Sequence, residues 1–122
     1  RQGDRMSAVT AIETWLKQPD ESILYIIDYT HLLASGETLT GTPVVTAEIE
    51  STGAEATGLT LSAKAVNTVA KTKRNGTIAI GKGIEVRIAG GTDGVTYRIE
   101  SACGTTASNT FAGDVILDVK DE

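Results

Sequence analysis

Two chemically versatile residue types are nearly missing from this 122-residue sequence, which contains one cysteine, Cys103, and one histidine, His31. A single cysteine excludes an intrachain disulfide, and one residue of each type is too few for a zinc site built from cysteine and histidine. A lone thiol fits a reducing compartment. We therefore expect no metal and no cofactor, a surface turn around His31, and core packing for Cys103.

Basic, aromatic and long apolar stretches are also scarce. The sequence has 11 Lys and Arg against 16 Asp and Glu, and its net charge of −5 disfavours binding to nucleic acid or to an anionic membrane surface. No apolar run approaches the roughly 18 residues of a membrane-spanning helix, and the first residues lack the apolar centre of a signal peptide. Aromatic residues make up 4% of the chain, so the core must consist mainly of Val, Ile, Leu and Ala.

The motifs of several common enzyme classes do not occur. There is no Gly-x-Ser-x-Gly elbow of a serine hydrolase. The glycines of Gly81–Gly83 and Gly90–Gly94 precede strand-like segments, whereas phosphate-binding loops lead into a helix. The carboxylates lack the spacing of an EF-hand, and the positive charges of Lys71–Arg74 fit a solvated hairpin end or a contact with an acidic neighbour. We expect no catalytic residues and no enzyme activity.

What the sequence does contain is alternation of apolar and polar residues. In Ile84–Ile88 and Val95–Glu100 every second residue is apolar, and Gly90–Gly94 separates the two segments. Because successive side chains of a strand point to opposite faces, we predict two half-buried strands joined as a hairpin. Another strand is predicted near the end of the chain by apolar residues of one parity, Phe111, Val115, Leu117 and Val119.

Further short segments complete the predicted fold. Leu39–Glu50 reads as a strand, and shorter strands are predicted at Leu59–Leu61 and Val66–Lys71. Seven to nine short strands with frequent turn signals are typical of an all-β, antiparallel β-sandwich. Such a sandwich accounts for the whole chain as one domain.

The N-terminal boundary of this domain is predicted near residue 16. We expect residues 1–15 to form an N-terminal arm or a first strand, and residues 16–122 to form the single β-sandwich domain. A helix is the alternative for the segment before Pro19, because Ile12, Trp15 and Leu16 also fit helical spacing. Pro19 would end either element.

The segment Ile23–Tyr29 is apolar on both faces, whereas a strand with one solvated face would alternate. It is either a central strand buried between layers, which is the favoured interpretation, or a surface that faces another subunit. A single helical turn over His31–Ser35 is predicted next, capped by Asp28 or Thr30 and stopped by Gly36.

Two stretches of the sequence combine into a pattern found in one family. The first is Leu16–Tyr29 with the following Leu33–Leu39, and the second is Val86–Ile99, which contains Gly90-Gly91-Thr92-Asp93-Gly94. Together with a terminal strand at Phe111–Asp121, they resemble small virion proteins of tailed bacteriophages, described as fibre-tail adaptor or neck-associated structural proteins. The resemblance spans roughly residues 16 to 121.

The resemblance implies an immunoglobulin-like sandwich that assembles rather than catalyses. It implies a multi-copy adaptor, often a homo-oligomeric ring, at the neck, collar or head–tail region of the virion, assembled in the host cytoplasm. The implied partners are capsid, neck, tail or fibre proteins, with no nucleic acid and no membrane. Repetition of one contact by symmetry would let modest interfaces suffice.

Such a role requires surfaces that contact other proteins, and the N-terminal segment and the doubly apolar strand are the candidates. The candidate interface residues are Met6, Val9, Ile12, Trp15, Ile23, Tyr25, Ile27 and Tyr29. An extended arm could add a strand to a neighbour's sheet edge. The alternative functions are a capsid decoration protein and a glycan-binding β-sandwich module, which would use exposed aromatic rings such as Trp15 or Tyr29.

Overall fold

A computed structural model describes residues 14–73 and 76–121 of the chain. These residues form a short 3-10 turn at Thr30–Leu32 and nine strands. The strands are β1 (Thr14–Lys17), β2 (Ser22–Asp28), β3 (Leu39–Ile49), β4 (Leu59–Val66), β5 (Lys71–Lys73), β6 (Gly76–Ile78), β7 (Gly83–Gly90), β8 (Thr96–Thr105) and β9 (Thr110–Val119).

The strands form two packed layers and one small hairpin. Strands β1, β9, β8 and β3 make a four-stranded sheet in that order, β2, β7 and β4 make a three-stranded sheet, and β5 pairs with β6. Every strand pair in the described residues is antiparallel except β1 with β9, which is parallel. The predicted all-β sandwich of seven to nine strands is confirmed, and within residues 14–17 the strand interpretation replaces the helical alternative.

The core lies between the two sheets and follows the alternation of the sequence. Odd-numbered residues of β8 and β9 and even-numbered residues of β7 point inward, and the hydrophobic side chains among them pack into one cluster. Full burial of one such side chain stabilises the fold by about 1.5–3 kcal/mol. The residues of this central cluster that are at most 2% exposed include Ile84, Val86, Ile88, Tyr97, Ile99, Val115, Leu117 and Val119.

The predicted hairpin between Ile84–Ile88 and Val95–Glu100 is wrong. Strand β7 pairs with β2 and β4, whereas β8 pairs with β3 and β9, so the intervening glycine-rich segment carries the chain from one sheet to the other. Alternation requires one buried face for each strand. Two strands that pair in one sheet and two strands that face each other across a core have the same alternation of apolar and polar residues. Alternation therefore could not distinguish a hairpin from a crossing between sheets.

The connection between the sheets requires glycine at two positions. Gly90 and Gly91 have φ angles of +81° and +105°, a region that L side chains rarely adopt. A Cβ on Gly90 would lie 2.7 Å from the carbonyl oxygen of Gly58, and one on Gly91 would lie 2.8 Å from a methyl carbon of Val119. The crossing is therefore packed too closely for any side chain.

Strand β4 also differs from the prediction, which divided it in two. Leu59–Val66 is one strand that pairs with β7, with a register shift between Ser62 and Ala65. Ala63 has a φ angle of +53° at this bulge. The strand predicted over Val66–Lys71 is not present. Val66 ends β4, Lys71 begins β5, and the residues between them form a turn.

Strand β2 is an edge strand, so the favoured interpretation of Ile23–Tyr29 as a buried central strand is wrong. It pairs with β7 on one side, and no strand pairs with its other side in the described residues. Ile26 on the second apolar face of β2 is covered within the protomer. Its side chain packs beside Ile78 of the β5–β6 hairpin, over Gly83. Leu24 on the same face remains 39% exposed. A role facing another subunit stays a prediction.

A buried amide holds the β5–β6 hairpin region to the sandwich. Asn67 is 1% exposed. Its Nδ2 donates hydrogen bonds to the carbonyl oxygens of Val69 (3.1 Å) and Ala79 (3.0 Å). Its Oδ1 accepts from the amides of Gly81 (3.1 Å) and Gly83 (3.0 Å). One side chain thus bonds four backbone groups of the turns on either side of the hairpin, and of these the Gly81 amide also donates to the main-chain oxygen of Asn67.

Candidate interaction surfaces

Several of the candidate interface residues are buried inside the protomer. Met6, Val9 and Ile12 lie outside the described residues. The buried members of the set are Trp15, Ile27 and Tyr29, at 7%, 6% and 1% exposure, and Ile23 and Tyr25 are half-buried. On the face of β2 toward the opposite sheet, Ile27 belongs to the core cluster and Tyr25 packs against it. Whether any of the eight contacts a partner stays a prediction.

Two aromatic rings close the sandwich on the side where β1 and β2 lie. The rings of Trp15 and Tyr25 stack with centroids 4.3 Å apart and an interplanar angle of 11°. Such pairs contribute about 0.5–1.5 kcal/mol beyond the area they bury. Burial, with a smaller effect from the charge of Glu21, raises the pKa of Tyr25 to about 12. The pair fixes β1 against β2 and makes Trp15 part of the fold.

A buried lysine anchors β1 in the same region. Lys17 is 1% exposed, and its Nζ donates hydrogen bonds to the carbonyl oxygens of Gln18 and Gly90. Burial lowers the pKa of Lys17, while the charges of Glu21 and Asp20 oppose that change. Because Lys17 contacts the glycine crossing directly, β1 belongs to the sandwich. The predicted boundary after residue 15 therefore falls inside a strand, and the division into arm and domain stays a prediction.

Tyr29 is held by hydrogen bonds as well as by packing. Its hydroxyl lies 2.6 Å from Oγ of Ser101, which in turn donates to the carbonyl oxygen of Gly113. Burial is the main cause that raises the pKa of Tyr29 to about 12. This chain of contacts joins the end of β2 to β8 and β9, so Tyr29 serves the packing between the sheets.

The open side of β2 presents backbone groups that no strand of the described residues bonds, and we call it the β2 edge. The amide of Tyr29 donates to the carbonyl of Lys82, its partner in the continued β2–β7 register. In an antiparallel ladder, bonded and non-bonded pairs alternate. The odd-numbered residues of β2 therefore bond to β7, and the backbone groups of Ser22, Leu24, Ile26 and Asp28 point away from it. The Ser22 carbonyl already has one partner, because it accepts a hydrogen bond from Nη1 of Arg87 at 3.1 Å.

The outer side of the four-stranded sheet carries the acidic face, defined by Glu48, Glu50, Glu100 and Asp114 around Arg98. Arg98 makes two hydrogen bonds of 2.9 Å with Glu50 and one of 3.1 Å with Asp114. Glu100 stands opposite Asp114 on the neighbouring strand. Partial burial, then the charges of Glu48 and Asp114, raise the pKa of Glu100. The face thus holds more negative charge than its one guanidinium offsets, which suits a cationic partner.

Sequence reasoning missed this surface because it considered the carboxylates only for the spacing of an EF-hand. The outward parity of β3, β8 and β9 was the available signal, since the residues that alternate with the core positions share one face. Val44, which is 62% exposed, borders the acidic face.

The predictions for the two chemically versatile residues are confirmed. His31 is exposed in the 3-10 turn, which spans Thr30–Leu32 rather than the predicted His31–Ser35. Cys103 is 4% exposed, and its Sγ contacts the carbonyl oxygen of Thr40 at 3.4 Å. Burial raises the pKa of the Cys103 thiol, which disfavours the reactive thiolate. In residues 14–73 and 76–121 no group of three or more His, Cys, Asp or Glu side chains could hold a metal ion.

A polar network that sequence reasoning missed ties the segment before β3 to the β8–β9 turn. The carboxylate of Glu37 accepts hydrogen bonds from the amide of Ala34 (2.9 Å), Oγ1 of Thr105 (2.6 Å) and Nδ2 of Asn109 (2.9 Å). These donors, with the Ala34 amide first, lower the pKa of Glu37. Two of its three donors, Thr105 and Asn109, lie 68 and 72 residues away in the chain, so the sequence around Glu37 does not indicate the network.

This network makes part of the stability depend on pH. The folded-state pKa of Glu37 is below its unfolded value, so its stabilising effect is complete above the unfolded pKa of about 4.3 and is lost as the pH falls through the lower folded value. We expect Glu37→Gln to unfold at lower urea concentration than wild type at about pH 7, and the difference to shrink at about pH 3. A difference that is equal at both pH values would contradict this role.

A shallow cleft of about 530 Å³ opens between β3 and β4, with Ala47, Ala56, Leu59 and Leu61 among its lining residues. Glu55 and Lys64 also line it. No helix in the described part of the chain is long and apolar enough to cross a membrane.

The two packed sheets, with the acidic face and the β2 edge, make the described residues a small β-sandwich. A family model described as podophage GP4 fiber-tail adaptor protein gp77 matches residues 17–118. The chain therefore belongs to this family of bacteriophage fibre-tail adaptor proteins, as the sequence resemblance predicted. No curated protein and no solved structure matches the chain significantly.

Proposed function

We propose that this phage structural protein acts in multiple copies at the neck, collar or head–tail region of the virion, where it joins fibre components to the tail through protein–protein contacts. The family match over residues 17–118 carries this proposal. The protein assembles in the host cytoplasm and has no enzyme activity of its own. Its partners are other tail, fibre, neck or capsid proteins.

The surface chemistry supports a role based on contacts between proteins. The acidic face offers fixed charge to a cationic partner, and the β2 edge offers backbone hydrogen bonds. Neither surface is needed to complete the core, because the two sheets already bury their apolar faces against each other. Substitutions on these surfaces can therefore separate assembly from folding.

The glycan-binding alternative has little support from the aromatic residues. Trp15, Tyr29 and Tyr97 are at most 7% exposed, and Tyr25 and Phe111 are half-buried. Sugar-binding surfaces need rings that are open to solvent, and no aromatic side chain in residues 14–73 and 76–121 is classed as exposed. A capsid decoration role differs only in position on the particle, which imaging of the virion would decide.

The N-terminal arm proposal can be tested with a deletion that leaves the sandwich complete. Residues 1–13 precede β1, whereas Trp15 and Lys17 pack inside the fold, so the deletion must end before Thr14. We expect the deletion variant to unfold at the wild-type temperature but to reach purified particles at least about tenfold less often. That loss corresponds to about 1.4 kcal/mol of contact free energy. Quantitative mass spectrometry of the particles measures it.

A matched control separates the apolar residues of the arm from its length. A full-length variant with Met6→Ser, Val9→Ser and Ile12→Ser keeps the thirteen residues and removes three candidate interface side chains. We expect it to behave like the deletion. If both variants reach particles at full occupancy, the arm is not an interface. If the protein itself is absent from purified virions, the adaptor proposal fails as a whole.

A further inference from the structure

We propose that two copies of this chain pair through the β2 edge, with their β2 strands antiparallel and related by a two-fold axis at Tyr25. The inference deepens the multi-copy part of the proposed function by naming a second copy as the occupant of this surface. Three observations carry it: the absence of any protective device on β2, the direction of its free backbone groups, and the self-complementarity of its sequence.

Natural sheets protect their edges against pairing, and the other long edge strands of this fold do so. Strand β3 carries Pro43 and a register shift between Thr40 and Val44. Strand β4 carries a bulge that contains Ala63, in a left-handed conformation, and Lys64. Bulges, proline and lysine are the usual means of blocking an edge.

Strand β2 has none of these protective features. All seven residues, Ser22–Asp28, pair with β7 without a register shift. The segment contains no proline, glycine or lysine. Two of the exposed large apolar side chains of the described chain, Leu16 on β1 and Leu24 on β2, lie on this side of the sandwich at 57% and 39% exposure. A regular apolar edge left open in this way is a site for strand addition.

The free backbone groups limit the registers that a second β2 strand could adopt. The outward groups belong to the even-numbered residues, so a bonded pair must join two even positions. Antiparallel pairing about Tyr25 meets this condition. It places Leu24 opposite Ile26 of the second copy and Ser22 opposite Asp28 of the second copy, and each such pair exchanges two backbone hydrogen bonds. The Ser22 carbonyl, which already accepts from Nη1 of Arg87, takes part through its second lone pair.

The side chains in this register are complementary in polarity and charge. Leu24 meets Ile26 on the outer face, and Ile23 meets Ile27 on the inner face. The one carboxylate of the strand, Asp28, meets the hydroxyl of Ser22 rather than another carboxylate. The pairing would join the two three-stranded sheets into one sheet of six strands. A single strand pair buries less area than a standard interface, so we expect dissociation in about the micromolar range.

Sedimentation velocity of the purified full chain over a range of concentrations tests the pairing. We expect wild type to form dimers and Leu24→Lys to raise the dissociation constant at least about tenfold, because the substitution places a charge in the contact. Val44→Lys is the matched control, since Val44 is also exposed on an edge strand, but β3 lies away from the proposed contact. A monomeric wild type, or equal weakening by both substitutions, would overturn the proposal.

Disulfide trapping tests the register and does not depend on the folding of Leu24→Lys. In a Cys103→Ala background, Ser22→Cys and Asp28→Cys are mixed under mild oxidation. The proposed register separates these Cα atoms by about 5.5 Å, which a disulfide can span. We expect the mixture to cross-link and neither variant alone to do so. Equal cross-linking of Ser22→Cys with itself would contradict the register.

Other occupants of the edge would appear as different results. If deletion of residues 1–13 abolishes the dimer while thermal unfolding is unchanged, the arm of a second copy fills the edge and the β2–β2 proposal is wrong. A protein that is monomeric in solution yet reaches particles normally would overturn the pairing and leave the adaptor function standing. A dimer that never enters particles would do the reverse.

Discussion

Replacing Gly90 with alanine is expected to lower the free energy of unfolding by about 3–4 kcal/mol, whereas the same change at Gly94 is expected to cost about 1 kcal/mol. Both glycines have a positive φ angle, +81° and +85°, so alanine adopts an unfavourable backbone conformation at either position. Only at Gly90 does the new Cβ meet backbone, the carbonyl oxygen of Gly58 at 2.7 Å. A Cβ on Gly94 would have no atom within 4 Å apart from those of the adjoining residues.

Both substitutions strain the backbone, so the difference between their free energies of unfolding measures the cost of the close contact between Gly90 and Gly58. Urea unfolding of both variants at one pH gives the two free energies. Because Gly91 also donates a hydrogen bond to the carbonyl of Gly58, any displacement of that carbonyl disturbs the same crossing. Equal destabilisation by the two substitutions would show that the crossing is less closely packed than described.

Replacing Asn67 with alanine is expected to lower the free energy of unfolding by about 3 kcal/mol. The substitution removes four hydrogen bonds and leaves backbone groups of the hairpin turns without these partners in a buried site. The amide of Gly81 also bonds to the main-chain oxygen of Asn67, so it keeps one partner. This remaining bond limits the loss.

The neighbouring residue provides a control for the Asn67 substitution. Thr68 is exposed, and Thr68→Ala is expected to change the stability by less than about 0.5 kcal/mol. Hydrogen exchange of the amides of Gly81 and Gly83 would locate the effect, because these groups lose the Oδ1 acceptor. Unchanged stability of Asn67→Ala would mean that water replaces the side chain without cost.

Alternation predicted the orientation of most core residues correctly. Tyr97, Ile99 and Cys103 were assigned to one face of a strand, and all three are at most 4% exposed. The same reasoning assigned Val115, Leu117 and Val119 to one face of the last strand, and they are at most 2% exposed. Period-two patterning succeeds here because each strand has one face in the core and one face outside.

The sequence could not predict which strands pair. Strands β7 and β8 are consecutive, are separated by glycines and alternate clearly, yet they lie in different sheets. The parallel pairing of β1 with β9 joins the two ends of the described chain, which no local pattern can indicate. The role of Asn67 was likewise not predicted, because its hydrogen-bond partners Ala79, Gly81 and Gly83 come after the hairpin in the chain.

The candidate site was predicted only in outline. The sequence identified β2 as unusual because both of its faces are apolar, but it chose the odd-numbered residues Ile23, Tyr25, Ile27 and Tyr29 as the contacts. Tertiary structure was needed to show that Ile27 and Tyr29 belong to the core cluster and that Tyr25 packs against it. The outward backbone groups and the even-numbered side chains of β2 are left for a partner. The strand therefore remains the candidate interface, but its even-numbered residues replace the odd-numbered ones as the candidate contacts.

The location of the protein in the assembled particle tests the central claim most directly. We expect a cryo-electron microscopy reconstruction of the virion to show several copies of the two-sheet sandwich at the junction of the fibres with the tail, with their outer surfaces in contact with neighbouring proteins. A virion in which the protein is absent, or is found only on the capsid lattice away from the tail, would contradict the adaptor role.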